Sequence, residues 1–124
     1  MKFPEHFPIK NPRYPSNEMV SSQWGPRNSP FQGHSIHEGI DLRADHGDDV
    51  ISMYDGETVD ETGVDTVYGN FVKTHDSLGR VWLYGHLTDI AVRAGQRLRR
   101  RKKIGTVGST GWATGPHLHL GRLR

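Results

Sequence analysis

The chain predicts an all-β fold of antiparallel sheet with few or no helices, and three observations carry that expectation. Its 124 residues include 15 glycines and 7 prolines against a hydrophobic content of only 33%, a balance that suits short strands and many turns better than long helices. No window sustains apolar residues at a 3.6-residue period over three turns. The late stretch His117-Leu118-His119-Leu120 alternates polar with apolar side chains, as a strand with one wet and one buried face does.

Length and composition set further bounds. The chain makes one domain, long enough to bury a modest core without staples. Cysteine is absent, so neither a disulfide framework nor a thiolate metal site is available, and any metal must be held by His, Asp or Glu. No apolar run approaches the ~20 residues of a membrane span. The N-terminus has no continuous apolar segment of the kind a signal peptide carries. A formal charge of +2 and a pI near 9.1 fit anionic partners without identifying one.

The elements follow in order. Residues 1–19 are punctuated by Pro4, Pro8, Pro12 and Pro15, which reads as an extended arm lying across a domain formed by residues 20–124. Val20 to Arg27 ends in the turn signal Gly25-Pro26, and the stretch from His34 to His46 is dense in ligand-type side chains. Val50 to Tyr54 reads as a strand, with Asp55-Gly56 as a turn before Glu57-Thr58-Val59. Asn70 to His75 is a second strand, and Asp76-Ser77-Leu78-Gly79 the hairpin turn into Arg80 to Tyr84. Ala91 to Gln96 and Lys103 to Gly108 carry turn glycines at close spacing.

Two constellations carry chemistry. Side chains at i and i+2 of a strand point the same way, about 6.5–7 Å apart, so His117 and His119 share a site while Leu118 and Leu120 anchor the strand; two surface histidines on an edge strand would show the same pattern. The second is His37-Glu38-Gly39-Ile40-Asp41. Four residues of straight strand span about 13 Å, too far for two donors that each lie about 2.0–2.2 Å from one zinc. If both are ligands the chain bends between them, and Gly39 permits the bend. His37, Asp41 and His119 would supply three protein ligands and leave a fourth position for water, the arrangement of a catalytic site. Taken alone, Asp41 also fits a turn or cap carboxylate, and His86 sits where an apolar strand meets a loop.

His37-x-Gly39-x-Asp41, Tyr84-Gly85-His86-Leu87 and Thr114-Gly115-Pro116-His117-Leu118-His119, in that order, resemble the motifs of the lysostaphin-type zinc endopeptidases that cut bacterial cell-wall peptides. Supporting stretches also resemble that family: Ser21 to Arg27 its opening turn, Asp55 to Val59 its early hairpin, then Tyr68 to Val72, Val92 to Gln96 and Ile104 to Gly111. The resemblance covers residues 20–121, with Gly47-Asp48-Asp49-Val50 more acidic than the family's usual turn. It implies the family's duplicated hybrid-motif β fold, with His37, Asp41 and His119 binding one Zn²⁺ per chain and His86 and His117 as an unliganded catalytic pair. The implied activity is hydrolysis of stem or crosslink peptides of peptidoglycan. Zinc lowers the pKa of a water toward about 7, and the pair carries the proton transfers and orients water.

Other readings are set beside this one. A structural or regulatory envelope or virion module can keep such a fold after losing its metal, but all the ligands are present here. A phosphocarrier with the related hybrid motif leaves the His-x-x-x-Asp pairing unexplained, and a biotin carrier needs a Lys flanked by Met in a tight turn. His6, His34, His46 and His75 read as solvated side chains. Glu38 lacks the second histidine of the helical zinc-protease motif. Arg97-Leu98-Arg99-Arg100-Arg101-Lys102-Lys103 reads as a solvated turn, or as a contact with anionic envelope polymers. It has no interleaved aromatics, so nucleic acid is not expected as a partner. Trp112 reads equally as a wall of a substrate groove or a loop anchor. With no signal peptide, the expectation is a protein that reaches the cell wall within a virion, through lysis, or as a domain of a larger exported chain.

Overall fold

The computed structural model describes residues 8–10, 12, 20–24, 27–28, 35–111 and 115–123; through residue 39 of the sheet it describes the course and pairing of the backbone. The all-β expectation holds: among the described residues there is no helix, and the strands join one antiparallel system. They are β1 Val20–Trp24, β2 Arg27–Asn28, β3 Ser35–Arg43, β4 Asp49–Ile51, β5 Glu57–Asp65, β6 Gly69–His75, β7 Val81–Ile90, β8 Arg97–Leu98, β9 Lys103–Val107 and β10 His117–Leu123. The main path runs β1-β3-β10-β7-β6-β5-β8, with β2 on β3 and β9 joining β4 to β7.

Alternation in the sequence sets the core. Leu118 and Leu120 of β10 are fully buried with Ile40 and Leu42 of β3, Tyr84 and Leu87 of β7, and Ile104 and Val107 of β9. Each such aliphatic side chain contributes about 1.5–3 kcal/mol relative to an exposed one. A second, smaller cluster of Tyr68, Phe71, Leu83 and Leu123 covers the other face of the same strands. Strands buried on both faces lose clean alternation, which is why β7 is buried continuously from Trp82 to Leu87.

The Asp76–Gly79 turn forms as expected. Asp76 accepts hydrogen bonds from the N–H groups of Leu78 (2.9 Å) and Arg80 (3.0 Å), from Arg80 Nε (2.6 Å) and from Trp82 Nε1 (3.0 Å), and Gly79 takes the left-handed φ of 79° that closes the turn. Two boundaries differ from expectation. β4 ends at Ile51 because Ser52 to Gly56 turn around Glu57, whose fully buried carboxyl accepts the N–H groups of Met53 and Tyr54 (2.8 and 2.9 Å) and the hydroxyls of Thr74 and Tyr84 (2.7 and 2.8 Å). β5 runs on to Asp65, past the Val59 where the apolar signal stops, because its outer half is a solvated strand paired only with β6. Of the proposed arm, Pro8 to Lys10 lies against β4: Ile9 is buried and bridges Val50, and Ile51 N–H donates to Pro8 O at 2.9 Å.

Candidate metal centre and its histidine pair

β10 lies between β3 and β7, and that placement builds the site. In the ladders His119 is the direct partner of Asp41 on one side and of Gly85 on the other, so its side chain stands beside the Asp41 carboxylate. His119 Nδ1 lies 3.0 Å from Asp41 Oδ1, and His117 Nε2 lies 3.4 Å from the same oxygen. Two donors about 2.1 Å from a tetrahedral zinc stand about 3.4 Å apart, so the Asp41–His119 spacing admits the ion with a few tenths of an ångström of spreading. The donor chemistry, imidazole nitrogen and carboxylate oxygen, also suits zinc. For His37 the backbone alone is described. The register passes from Arg122↔Glu38 to Leu123↔Ile36, which makes His37 the extra residue of a β-bulge, a device that re-aims a side chain near functional sites. The bend that two ligands four residues apart require is expected at Gly39; the irregularity in this stretch of the ladder falls at His37.

His119 departs from the wet-face expectation. It is fully buried, with the Tyr68 ring stacked on it at a centroid distance of 5.0 Å and an interplanar angle of 28°. Gly85 lies opposite, where a Cβ would meet Tyr68 Cβ at 3.4 Å and His119 Cβ at 3.5 Å, ordinary contact distances. Tyr68 is held by Asp65, which accepts its N–H at 2.9 Å and that of Val67 at 2.8 Å. His117, on the same face of β10, stays partly exposed and carries a contact from Nδ1 to Gly115 O at 3.0 Å.

His86 interrupts β7 with a φ of 63°, a left-handed conformation that costs a non-glycine residue about 1–2 kcal/mol. It is held there from both ends: its N–H donates to Tyr68 O at 2.6 Å, and its ring Nδ1 meets Thr110 O at 2.7 Å. A carbonyl only accepts, so Nδ1 carries the proton and Nε2 keeps its lone pair. The ring stands 4.7 Å from that of His117 and 6.0 Å from that of His119, edge-on to both. Asp41, His86, His117 and His119 therefore gather in one place from three strands.

Their protonation is split. Burial pushes His86 down to about 4, with only partial compensation from its bond to Thr110, so it is neutral at pH 7. The hydrogen bond to Asp41 moves His117 the other way, above its ordinary value. Burial alone would raise Asp41, but its hydrogen bonds from His117 and His119 hold it well below the usual carboxylate range. One neutral and one more basic imidazole side by side is the separation that acid–base chemistry uses.

The remaining candidates fall elsewhere. His46 is exposed, its Nε2 3.1 Å from Thr88 Oγ1, and the His75 side chain is 44% exposed and paired with Asp60 at 2.6 Å. His6, His34, Trp112 and most of the proposed arm lie outside the described residues. Tyr68, Asn70 and Thr110 were not singled out individually by the sequence, although Tyr68-Gly69-Asn70 and Gly108 to Gly111 stand in stretches that carried the resemblance. Arg97 to Lys103 forms β8, a turn and the start of β9, with Leu98 buried among the cations. A surface pocket of about 560 Å³ lined by Asp55, Gly56, Arg97, Leu98 and Arg99 lies beside that turn, not at the histidines.

Residues 35–123 match the model of peptidase family M23. The chain is 36% identical over 102 residues to the peptidoglycan DD-endopeptidase ShyC of Vibrio cholerae, which covers 81% of this chain and 23% of that protein. Among solved structures, the catalytic domain of the antimicrobial peptidase lysostaphin from Staphylococcus simulans superposes with a TM-score of 0.71 at 29% identity, over 86% of this chain and 80% of that one. A zinc-containing peptidase from Vibrio cholerae superposes with a TM-score of 0.72 at 29% identity, over 97% of this chain and 36% of that one. The chain spans between 14% and 27% of the length of the first curated relatives it matches.

Proposed function

Since this chain belongs to peptidase family M23, we propose that it is a zinc-dependent endopeptidase acting on the stem or crosslink peptides of bacterial peptidoglycan. The observation that carries the proposal is the convergence of Asp41 Oδ1 and His119 Nδ1 at 3.0 Å, with the His86 and His117 rings beside them. ShyC is named for peptidoglycan endopeptidase activity and a structural neighbour is described as zinc-containing, which supports both halves of the reading.

His37, Asp41 and His119 hold the metal in this proposal. When bound, zinc supplies a positive charge that acidifies a water and polarises a peptide carbonyl. His86, neutral and with Nε2 unprotonated, accepts the proton of the attacking water. His117, the more basic ring, donates to the developing oxyanion or the leaving amine. Tyr68 packs over His119 and keeps bulk water from its face. The turn through Arg99, Arg100, Arg101 and Lys102, with Arg97 and Lys103 at its ends, contacts an anionic polymer of the envelope. The domain is residues 20–124, with residues 1–19 as an extended arm, and its place of action is the cell wall.

The test is digestion of isolated sacculi by the zinc-loaded protein. New free amines and shorter stem peptides are expected, without new reducing sugar ends, since glycosidic hydrolysis calls for a pair of carboxylates instead. Chelation should abolish release and zinc restore it. Intact sacculi of both the direct-crosslink and glycine-bridge types, with zinc demonstrably bound, would overturn the proposal. Mass spectra of the products would name the bond.

A further inference from the structure

His86 keeps its unusual backbone because its neighbours are tied down by side chains that the proposed chemistry does not use. The next carbonyl, Leu87 O, accepts both Asn70 Nδ2 at 2.9 Å and Thr110 Oγ1 at 2.8 Å. The carbonyl after it, Thr88 O, accepts the same Asn70 amide at 3.2 Å. Thr110 thus grips this segment twice, with its hydroxyl on residue 87 and its own carbonyl on the His86 ring. Thr110 is itself held by the Asn70 N–H, which donates to Oγ1 at 3.0 Å. The contact leaves no room for a side chain at residue 69 or 111. A Cβ on Gly69 would stand 2.2 Å from Thr110 Oγ1, and one on Gly111 would stand 2.4 Å from Gly69 N.

Asn70 opens β6 and Thr110 lies in the loop before β10, 40 residues away. The hydrogen bonds cross from one to the other and meet on the two carbonyls that follow His86. A clamp needed only to hold the sheet together would have no reason to converge on the single left-handed residue of β7.

We propose that Asn70 and Thr110 are positioning residues for His86, fixing its left-handed backbone and its Nδ1–H tautomer so that Nε2 is offered to the cleft as an acceptor. The inference rests on His86 acting as proton carrier in the proposed hydrolysis. Among the described residues, the hydrogen bonds of Asn70 and Thr110 reach neither Asp41 nor His119; each acts through His86. A displacement of a catalytic group by about 1 Å costs on the order of 10²-fold in rate.

The test compares Thr110→Val, which keeps the shape and removes the hydroxyl, with Thr110→Ser, which restores it. Asn70→Asp removes the amide donor at nearly constant size. All are measured as zinc-loaded protein. Thr110→Val and Asn70→Asp should keep full zinc content and a KM within about twofold of the parent, while kcat falls by about 10- to 100-fold. Thr110→Ser should recover to within about threefold, by the same reasoning. Nitrogen chemical shifts of the imidazoles report the tautomer directly: the parent should show His86 protonated at Nδ1, and Thr110→Val a mixture. Unchanged kcat in Thr110→Val, no recovery in Thr110→Ser, or a lost kcat with the His86 shifts unmoved would each overturn the proposal. An inactive parent would instead overturn the hydrolase reading, and the imidazole shifts would still decide whether the clamp sets the tautomer.

Discussion

At the scale of single residues, the proposed chemistry divides four side chains into two roles with different losses. Asp41→Ala and His119→Ala should lose both bound zinc and activity. His86→Ala and His117→Ala should keep zinc and lose about 10²–10⁴-fold in rate, and the double variant should fall far short of the product of the two losses, since they act as one unit. Elemental analysis beside turnover separates the groups. A full zinc content in His119→Ala would remove it from the ligands, and near-parental turnover in either of the other two would remove that histidine from the pair.

His86 also leaves a mark on stability. Its folded value, about 4, lies below the ordinary 6.5, so between those values the unfolded chain binds the proton that the folded chain refuses. Its stabilising contribution is complete above pH 6.5 and is lost as pH falls toward 4. His117, raised by Asp41, works in the opposite sense: its contribution is complete below pH 6.5 and is lost as pH rises through its folded value. Denaturant titrations of zinc-free protein at several pH values between 4.5 and 7.5 should therefore show a slope toward acid that flattens in His86→Gln. An identical slope in that variant would count against a buried neutral His86.

At the scale of elements, β10 was legible because His117 to Leu120 alternate polar with apolar side chains, with Leu118 and Leu120 in the core. The hairpin at Asp76–Gly79 was legible because turn chemistry is local. What escaped was held together by partners distant in sequence. Glu57 looks like an ordinary turn-flanking carboxylate, yet it joins the turn after β4 to Thr74 and Tyr84, 17 and 27 residues away. Thr110 looks like one more small loop residue, and its importance appears only when β6 and β7 arrive beside it. Burial of His119 under Tyr68 was hidden for the same reason. Tyr84→Phe tests the Glu57 junction: it removes one buried hydrogen bond without changing volume and should cost about 1–2 kcal/mol in chemical denaturation. Parental stability would mean the hydroxyl contributes nothing net to the junction.

At the scale of the whole molecule, the basic turn is a firm projection. Ser52, fully buried, binds it four ways: its hydroxyl donates to Arg99 O at 2.6 Å and accepts Lys102 N–H at 3.1 Å, its N–H donates to Lys102 O at 2.9 Å, and its carbonyl accepts Arg101 N–H at 3.0 Å. Lys103 pairs with Asp49 at 3.3 Å, whereas no ion pair among the described residues engages Arg97, Arg99, Arg101 or Lys102. Replacing Arg99, Arg101 and Lys102 by Gln should move elution from a polyphosphate resin to markedly lower salt, with hydrolysis of a small uncharged peptide unchanged. Elution at the parental salt concentration would reduce the turn to a solvated connection.

The placement of β10 has a consequence in time as well as space. Among the described residues it is the last strand in chain order, yet it lies in the interior of the sheet, joining β3 to β7, and it brings His119 to Asp41, 78 residues earlier in the chain. Closing so long a loop is entropically slow, and no smaller part of the chain contains both donors. A chain that lacks β10 would lack His117 and His119, and with them the cluster around Asp41. If the proposed chemistry holds, hydrolytic competence would require β10 in place between β3 and β7.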